Sequence, residues 1–133
     1  MRRPRILLAD DHPDFLAVVA RLLEPDYDVV TTVSNGKAVI DEASRLNPDI
    51  LVLDISMPIL NGIEAAKQLK ATGFAGKMVF LTVHADTDYL NAARAAGAQG
   101  YVVKSRLASD LLVTLREIMS GTSFVTAAPN LVA

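Results

Sequence analysis

Short apolar runs alternate with helix-like stretches along most of this 133-residue chain. Residues 50–53 and 78–81 contain no polar side chain, whereas a strand with one solvated face would alternate polar and apolar residues. The stretches between such runs repeat their apolar residues at helical spacing, as Phe15, Val18 and Leu22 do. Five strand–helix units of this kind predict an α/β fold, in which helices cover both faces of a parallel sheet.

Proline, glycine and asparagine mark the boundaries between these elements. The predicted strands cover residues 6–9, 27–33, 50–53, 78–81 and 100–103. The predicted helices run from Pro13 to just before Pro25, and then over residues 38–46, 63–71, 87–96 and 110–119. Asp86 is expected to cap the fourth helix. The second strand is β-branched and partly polar, which favours a place near the edge of the sheet.

Size and composition fit one globular domain. Hydrophobic residues make up 51% of the chain and charged residues 21%, and cysteine is absent, so the fold uses no disulfide. A net charge of −2 argues against a nucleic-acid surface. The first apolar run is too short for a secretory signal, and no run approaches the roughly 18 apolar residues of a membrane span. We therefore expect a cytoplasmic domain that binds neither membrane nor nucleic acid.

Polar residues stand where the predicted strands end. Asp10 and Asp11 follow the first strand, Asp54 follows the third, Thr82 closes the fourth and Lys104 follows the fifth. In open parallel sheets the ligand crevice lies beyond the carboxyl ends of the strands. Residues that are far apart in the sequence are therefore expected to meet in one crevice.

Three carboxylates in one crevice need a compensating charge. At about 4 Å two of them repel by about 4 kcal/mol at a surface-like dielectric of 20. A site of oxygen ligands without His or Cys suits a hard ion, and few protein ligands favour Mg²⁺ over Ca²⁺. A carboxylate can also act as a nucleophile toward phosphorus. Lys104 would then attract a phosphate oxygen, and Thr82 would donate a hydrogen bond to another.

Each of these residues also has a plainer interpretation. Asp10 or Asp11 could cap a helix, and Asp54 could form a turn. Thr82 is a good strand residue, and Lys104 could be a solvated surface lysine. The plain interpretations would have to hold independently at four strand ends, which favours the shared site.

At these residues the sequence resembles the receiver domain of two-component response regulators. The matching segments are residues 6–12, 53–58, 61–64, 81–84 and 97–105, in order over about residues 5–120. Asp10-Asp11-His12 with Lys104-Ser105 most resembles regulators whose receiver precedes a LuxR-type helix-turn-helix domain. The resemblance implies a flavodoxin-like, doubly wound (βα)5 three-layer sandwich, with a five-stranded parallel sheet of order 2-1-3-4-5. Residues 1–121 would form the receiver, and residues 122–133 a tail or the start of a linker to an absent output domain.

The resemblance also assigns roles in phosphoryl transfer. Asp54 would accept a phosphoryl group from a phosphohistidine of a sensor histidine kinase. Asp11, Asp54 and the backbone carbonyl of Ser56 would ligate Mg²⁺, while Asp10 would act mainly through a metal-bound water. Lys104 would pair with the phosphoryl group. The domain would catalyse only its own phosphorylation and dephosphorylation, and is not expected to be a metabolic enzyme.

Further residues are implied in switching and in tuning. Thr82 would move toward the phosphoryl group and Tyr101 would swing inward behind it. This would repack the surface of the fourth helix, fifth strand and fifth helix, where partners or a second receiver would bind as a homodimer. Ser56, Val83 and His84 occupy positions that tune dephosphorylation in this family. His84 could contact phosphate or water, or simply face solvent.

Two positions depart from the family pattern. Ser105 stands where many receivers have a proline after a cis bond, and the sequence leaves the isomer of the Lys104–Ser105 bond open. Val83 stands where alanine or glycine is usual, and its bulk is expected to narrow access to Asp54 and slow either phosphoryl entry or water attack.

Three other functions were weighed against this interpretation. A haloacid-dehalogenase-type phosphatase needs a second aspartate two residues after the nucleophile, and Ser56 occupies that position. A flavin-binding electron carrier needs a phosphate loop after the first strand, where Asp10 and Asp11 would repel a phosphate. An interaction module that is never phosphorylated would not need all five key residues.

Overall fold

A computed structural model describes residues 2–122 and 124–126 of the chain. The strands are β1 (Arg5–Ala9), β2 (Asp28–Val33), β3 (Ile50–Leu53), β4 (Lys77–Thr82), β5 (Gly100–Val103) and β6 (Val125–Thr126). The helices are α1 (Pro13–Leu23), α2 (Gly36–Leu46), α3 (Gly62–Ala71), α4 (Thr87–Ala95) and α5 (Leu107–Met119), and a 3₁₀ turn over Lys104–Arg106 precedes α5. None of the helices described is long and apolar enough to cross a membrane.

The strands form one parallel sheet in the order β2-β1-β3-β4-β5-β6. The predicted fold class and the order of the first five strands are confirmed. β6 is an addition, because residues 125–126 fall in the predicted tail. A strand of two residues leaves no recognisable pattern in the sequence, and β6 forms only because the edge of β5 is there to pair with.

The boundary at residue 121 remains a prediction, although the described residues 124–126 pack on the sheet. Residue 123 and residues 127–133 of the predicted tail lie outside the described part of the chain.

Two buried clusters lie on opposite faces of the sheet. One packs against α2, α3 and α4 and includes Leu7, Leu51 and Phe80. The other packs against α1 and α5 and includes Ile6 and Ile50. Successive residues of a strand point to opposite faces, so a central strand must be apolar throughout to fill both clusters. This explains why β1 and β3 read as uninterrupted apolar runs.

The helix boundaries differ from the prediction by up to three residues, and the largest difference is at the start of α5. α5 begins at Leu107 rather than Asp110, because the 3₁₀ turn leads the chain directly into the helix. Asp110 lies in the first turn, where its carboxylate accepts hydrogen bonds from Arg106 Nε (2.7 Å) and Ser109 Oγ (2.8 Å). Asp86 occupies the N-cap position of α4, but its side chain makes no capping hydrogen bond.

Candidate functional site

The structure brings the three predicted carboxylates together at the carboxyl edge of the sheet. Asp10 and Asp11 follow β1, and Asp54 follows β3. Ligand atoms of these residues and of His12 all lie within 4.8 Å of one another. Asp10 and Asp54 are buried, whereas the side chain of Asp11 retains 34% of its exposure. The cluster is thus a crevice with a buried floor and one accessible carboxylate.

Lys104 links two of these carboxylates. Its Nζ lies 2.6 Å from Asp10 Oδ2 and 3.1 Å from Asp54 Oδ2, and it also lies 4.5 Å from the centre of the Phe15 ring. Burial alone lowers the pKa of the Lys104 ammonium, but its hydrogen bonds to Asp10 and Asp54 outweigh burial, and the pKa lies above its ordinary value. Lys104 therefore remains charged beside Asp54.

Asp54 is held on two sides. Its Oδ1 accepts a hydrogen bond from the Ile55 N–H (2.7 Å), and its Oδ2 accepts one from Lys104. Burial raises the pKa of the Asp54 carboxyl, and the hydrogen bond from Lys104 offsets only part of the effect. The two hydrogen-bond donors therefore fix the orientation of the Asp54 carboxylate, but they do not fully offset the cost of burying its negative charge.

The donor set fits a hard divalent cation. Asp10, Asp11 and Asp54 carry three negative charges against the single positive charge of Lys104, and their oxygens are the ligands that Mg²⁺ prefers. This imbalance within a partly buried crevice is the chemical argument for a cation.

Sequence reasoning gave His12 no role. Its Nδ1 lies 2.9 Å from Asp10 Oδ1 and 3.1 Å from Asp11 Oδ1. The hydrogen bond to Asp10 and the charge of Asp11 raise the pKa of His12. When protonated, His12 therefore partly compensates the negative charge of Asp10 and Asp11 at the exposed rim of the crevice. Its position directly after two aspartates is the sequence signal for this role.

Thr82 and His84 lie at the carboxyl end of β4, on the same edge of the sheet as the crevice. Thr82 is fully buried, and its Oγ1 accepts a hydrogen bond from the His84 N–H (3.3 Å). The His84 ring does not simply face solvent. Its Nε2 lies 3.0 Å from Ser56 Oγ, and the ring stacks on Tyr89 with centroids 4.0 Å apart. His84 thus connects the loop after β3 to α4.

Tyr101 lies inward. It is 1% exposed, and its hydroxyl donates a hydrogen bond to the His84 carbonyl oxygen (2.8 Å). Burial raises the pKa of this phenol, so it stays a neutral donor. Tyr101 thus occupies the inward position that the resemblance implies for the switch.

Of the remaining predicted positions, Val83 and Ser56 are exposed, and the peptide bond before Ser105 has the ordinary isomer. Val83 is 65% exposed and follows Thr82 at the end of β4. Ser56 is exposed, with its hydroxyl directed to His84. The Lys104–Ser105 peptide bond, which the sequence left open, is trans.

Comparison with known proteins identifies the family. The family model of the response regulator receiver domain matches residues 6–116. The chain belongs to the response regulator receiver family. This receiver is similar to the nitrate/nitrite response regulator NarL of Escherichia coli (strain K12), with 35% identity over 125 residues, 92% of this chain and 58% of NarL. The transcriptional regulatory protein DesR of Bacillus subtilis (strain 168) is 35% identical over 118 residues, 87% of this chain and 58% of DesR.

Solved structures agree with this assignment. A two-component response regulator of the LuxR family from Aurantimonas sp. SI85-9A1 matches with a TM-score of 0.89 and 30% identity, over 97% of this chain and 92% of that one. The isolated receiver domain of RcsB from Salmonella enterica serovar Typhimurium, determined with the phosphomimetic BeF3⁻, matches with a TM-score of 0.89 and 25% identity, over 99% and 100% of the chains. The resemblance to LuxR-type regulators is therefore confirmed.

The receiver spans a little over half the length of the curated relatives that it matches. DesR, like DegU of Brevibacillus brevis, is named a transcriptional regulatory protein. Family membership makes this chain a receiver domain of a two-component system, whereas the residues that carry its chemistry are assigned below as proposals.

Proposed function

We propose that this receiver is a phosphorylation-controlled switch in which Asp54 accepts a phosphoryl group from a phosphohistidine of a sensor histidine kinase. The observation that carries the proposal is the buried carboxylate of Asp54. One of its two oxygens is held by Lys104, and the carboxylates of Asp10 and Asp11 lie beside it. Family membership supports the same chemistry.

The transfer exchanges one bond for another. An oxygen of the Asp54 carboxylate bonds to phosphorus as the bond between phosphorus and the histidine nitrogen breaks, and the imidazole leaves with the bonding electrons. The attacking carboxylate must be ionised. Lys104 favours ionisation and is placed to hold one phosphoryl oxygen after transfer. Thr82 would donate a hydrogen bond to another.

The proposed cofactor is Mg²⁺. Asp11, Asp54 and the backbone carbonyl of Ser56 would hold it directly, and Asp10 through water. A bound Mg²⁺ supplies positive charge between the carboxylates and the phosphoryl oxygens. Asp10 contributes a second function, since its hydrogen bond to Lys104 keeps that ammonium at the crevice.

Phosphorylation would act on the α4-β5-α5 surface through Thr82 and Tyr101. A phosphoryl group adds negative charge and acceptor oxygens to an acidic site, so Thr82 is drawn toward it. We infer that phosphorylation raises the population of the inward position of Tyr101, in which its hydroxyl donates to the His84 carbonyl oxygen. Ser56, Val83 and His84 would set the rate at which water removes the phosphoryl group.

The proposed context is the control of transcription in the cytoplasm. A helix-turn-helix domain of a longer protein would carry the DNA-binding function, and homodimerisation would link phosphorylation to that output. The receiver itself would catalyse only its own phosphorylation and dephosphorylation. The similarity to relatives that are named transcriptional regulatory proteins supports this context.

Intact-mass measurement after incubation with acetyl phosphate and Mg²⁺ tests the proposal. We expect the wild type to gain one phosphoryl group and Asp54→Asn to gain none. Asp41→Asn removes an exposed carboxylate of α2 and serves as the matched control, with uptake equal to the wild type. Equal uptake by wild type and Asp54→Asn would exclude Asp54 as the acceptor.

A further inference from the structure

The chain after α5 returns to the edge of the sheet. Residues 124–126, which we name the strap, contain β6 and pair in parallel with β5, placing Val125 beside Gly100 and Thr126 beside Tyr101. The Val125 N–H donates a hydrogen bond to the Gln99 carbonyl oxygen (2.9 Å). The strap therefore covers the strand that carries the proposed switch tyrosine.

Side chains of the strap contact both helical layers. The Phe124 ring lies 4.2 Å from the Arg94 guanidinium of α4 and packs on the core cluster that includes Tyr101. Val125 is buried in the other cluster, on the side of α5. A shift of α4 relative to β5 would therefore alter the contacts of Phe124.

Few interactions hold the strap on the edge of β5. Two residue pairs join it to β5, and the Thr126 hydroxyl is buried with no hydrogen-bond partner in the described part of the chain. An unpaired buried hydroxyl opposes docking, and a short edge element belongs to the least stable part of a fold. We therefore expect the strap to dissociate more readily than the other strands of the sheet.

Tyr101 lies between Phe80 of β4 and Thr126 of the strap in the sheet. Its ring is buried in the same cluster on which Phe124 packs. Because β4 flanks Tyr101 on one side and the strap on the other, we expect an outward ring to move toward the strap edge of the sheet. A docked strap and an inward tyrosine are compatible in the structure, whereas an outward ring would disturb the packing of Phe124 on their shared cluster.

We propose that strap docking and the inward position of Tyr101 stabilise each other, so that the strap transmits the state of Asp54 to the residues that follow it. The inference rests on the proposed function for its link to phosphorylation. A phosphoryl group that favours the inward tyrosine also favours the docked strap. Because such coupling is reciprocal, loosening the strap weakens the binding of a phosphoryl mimic.

Hydrogen exchange of the Val125 amide measures the coupling in the full chain. With fluoroberyllate and Mg²⁺ we expect this amide to exchange at least about fivefold more slowly. Phe124→Ala should abolish this protection and weaken fluoroberyllate binding by a similar factor. Phe74→Ala, which removes another partly buried ring packed on the same cluster, should leave both unchanged. Arg94→Ala is a second variant for the same two measurements, because it removes the guanidinium that contacts the Phe124 ring and leaves the ring in place.

An arm without fluoroberyllate separates this inference from the proposed function. Tyr101→Phe removes the hydrogen bond to His84, and we expect it to accelerate Val125 exchange about fivefold. The effects of Tyr101→Phe and Phe124→Ala should then be non-additive in a double-mutant cycle. Additive effects, or an unchanged Val125 amide in protein saturated with fluoroberyllate, would refute the coupling. Failure of the wild type to bind fluoroberyllate would instead count against the proposed function, and the cycle would still decide the coupling.

Discussion

At the scale of single residues, the site balances burial against neighbouring charge. Burial raises the pKa of Asp54, while Lys104, held between Asp10 and Asp54, keeps its proton. One ammonium cannot compensate three carboxylates. The receiver thus carries an acidic imbalance that a divalent cation would relieve, and the same imbalance makes the stability of the fold depend on pH.

The pH dependence follows from the sign of the Asp54 shift. A carboxyl whose pKa is higher in the folded state contributes stability at low pH and loses it as the pH rises through the folded pKa. Without divalent ions, Asp54→Asn should therefore be more stable than the wild type at pH 7, with the difference disappearing below about pH 4. Urea unfolding between pH 4 and pH 8 measures it. A wild type that gains stability over Asp54→Asn with rising pH would contradict the sign.

The Ser56–His84 hydrogen bond gives a prediction about hydrolysis. It joins the loop after β3 to the segment after β4 at 3.0 Å, two residues from Asp54 in the sequence, so we expect its loss to ease the approach of water to a phosphorylated Asp54. We expect His84→Ala to accelerate loss of the phosphoryl group by about three- to tenfold, or under about 1.4 kcal/mol in the barrier. Intact mass followed over time after removal of acetyl phosphate gives the rate.

Ser56→Ala serves as the matched variant for the same hydrogen bond. If the bond itself matters, the double variant should be no faster than the faster single variant. Independent, multiplying effects would mean that the two side chains act separately on hydrolysis.

At the scale of elements, the loop from β3 to α3 is fixed by close backbone contacts. The Gly62 N–H donates to the Ile55 carbonyl oxygen (2.8 Å), and the Leu60 N–H to the Pro58 carbonyl oxygen (2.7 Å). The second bond closes a tight turn centred on Ile59, which is 77% exposed and has a φ of 71°. A β-branched residue in that conformation is strained, which shows that the surrounding loop imposes it.

Gly62→Ala tests how tightly this loop is held. An added Cβ would overlap the Asp54 carbonyl oxygen, so the backbone beside the acceptor must move. We expect a loss of about 2–3 kcal/mol in the free energy of unfolding. Gly73→Ala is the control, because its Cβ would contact nothing within 4 Å and only its φ of +89° opposes alanine, at about 1 kcal/mol. Urea unfolding measures both losses. Equal losses in the two variants would contradict the prediction, because they would mean that the loop backbone can move away from the added Cβ at little cost.

Sequence patterns were sufficient for elements that are decided locally. Uninterrupted apolar runs predict β3 and β4, and the rule that ligands bind beyond strand ends predicts that Asp54 and Lys104 share one crevice. Features that depend on tertiary contacts were missed. Lys104 lies between two carboxylates that are at least fifty residues away in the sequence, and β6 depends on the edge of β5. The stacking of His84 on Tyr89 joins residues only five positions apart, but it depends on how the loop before α4 folds.

At the scale of the whole molecule, the sheet separates the two cores and gathers the charged groups at one edge. β1, β3 and β5 supply the charged groups of the crevice, so the site forms only in the folded chain. A cation that binds this site must therefore stabilise the fold by mass action. The contribution of Lys104 and that of Mg²⁺ should be partly interchangeable, because both neutralise the same carboxylates.

Lys104→Met tests this interchange. Without divalent ions its loss leaves three uncompensated carboxylates in a largely buried crevice, and we expect the free energy of unfolding to fall by about 3 kcal/mol at pH 7. Mg²⁺ should restore part of that loss and should stabilise Lys104→Met more than the wild type, as read from urea unfolding with and without the ion. Lys37→Met breaks an exposed ion pair with Asp41, so it should change stability by under about 0.5 kcal/mol and leave the Mg²⁺ effect unchanged. An equal Mg²⁺ effect in wild type, Lys104→Met and Lys37→Met would show that the cation does not share carboxylates with Lys104.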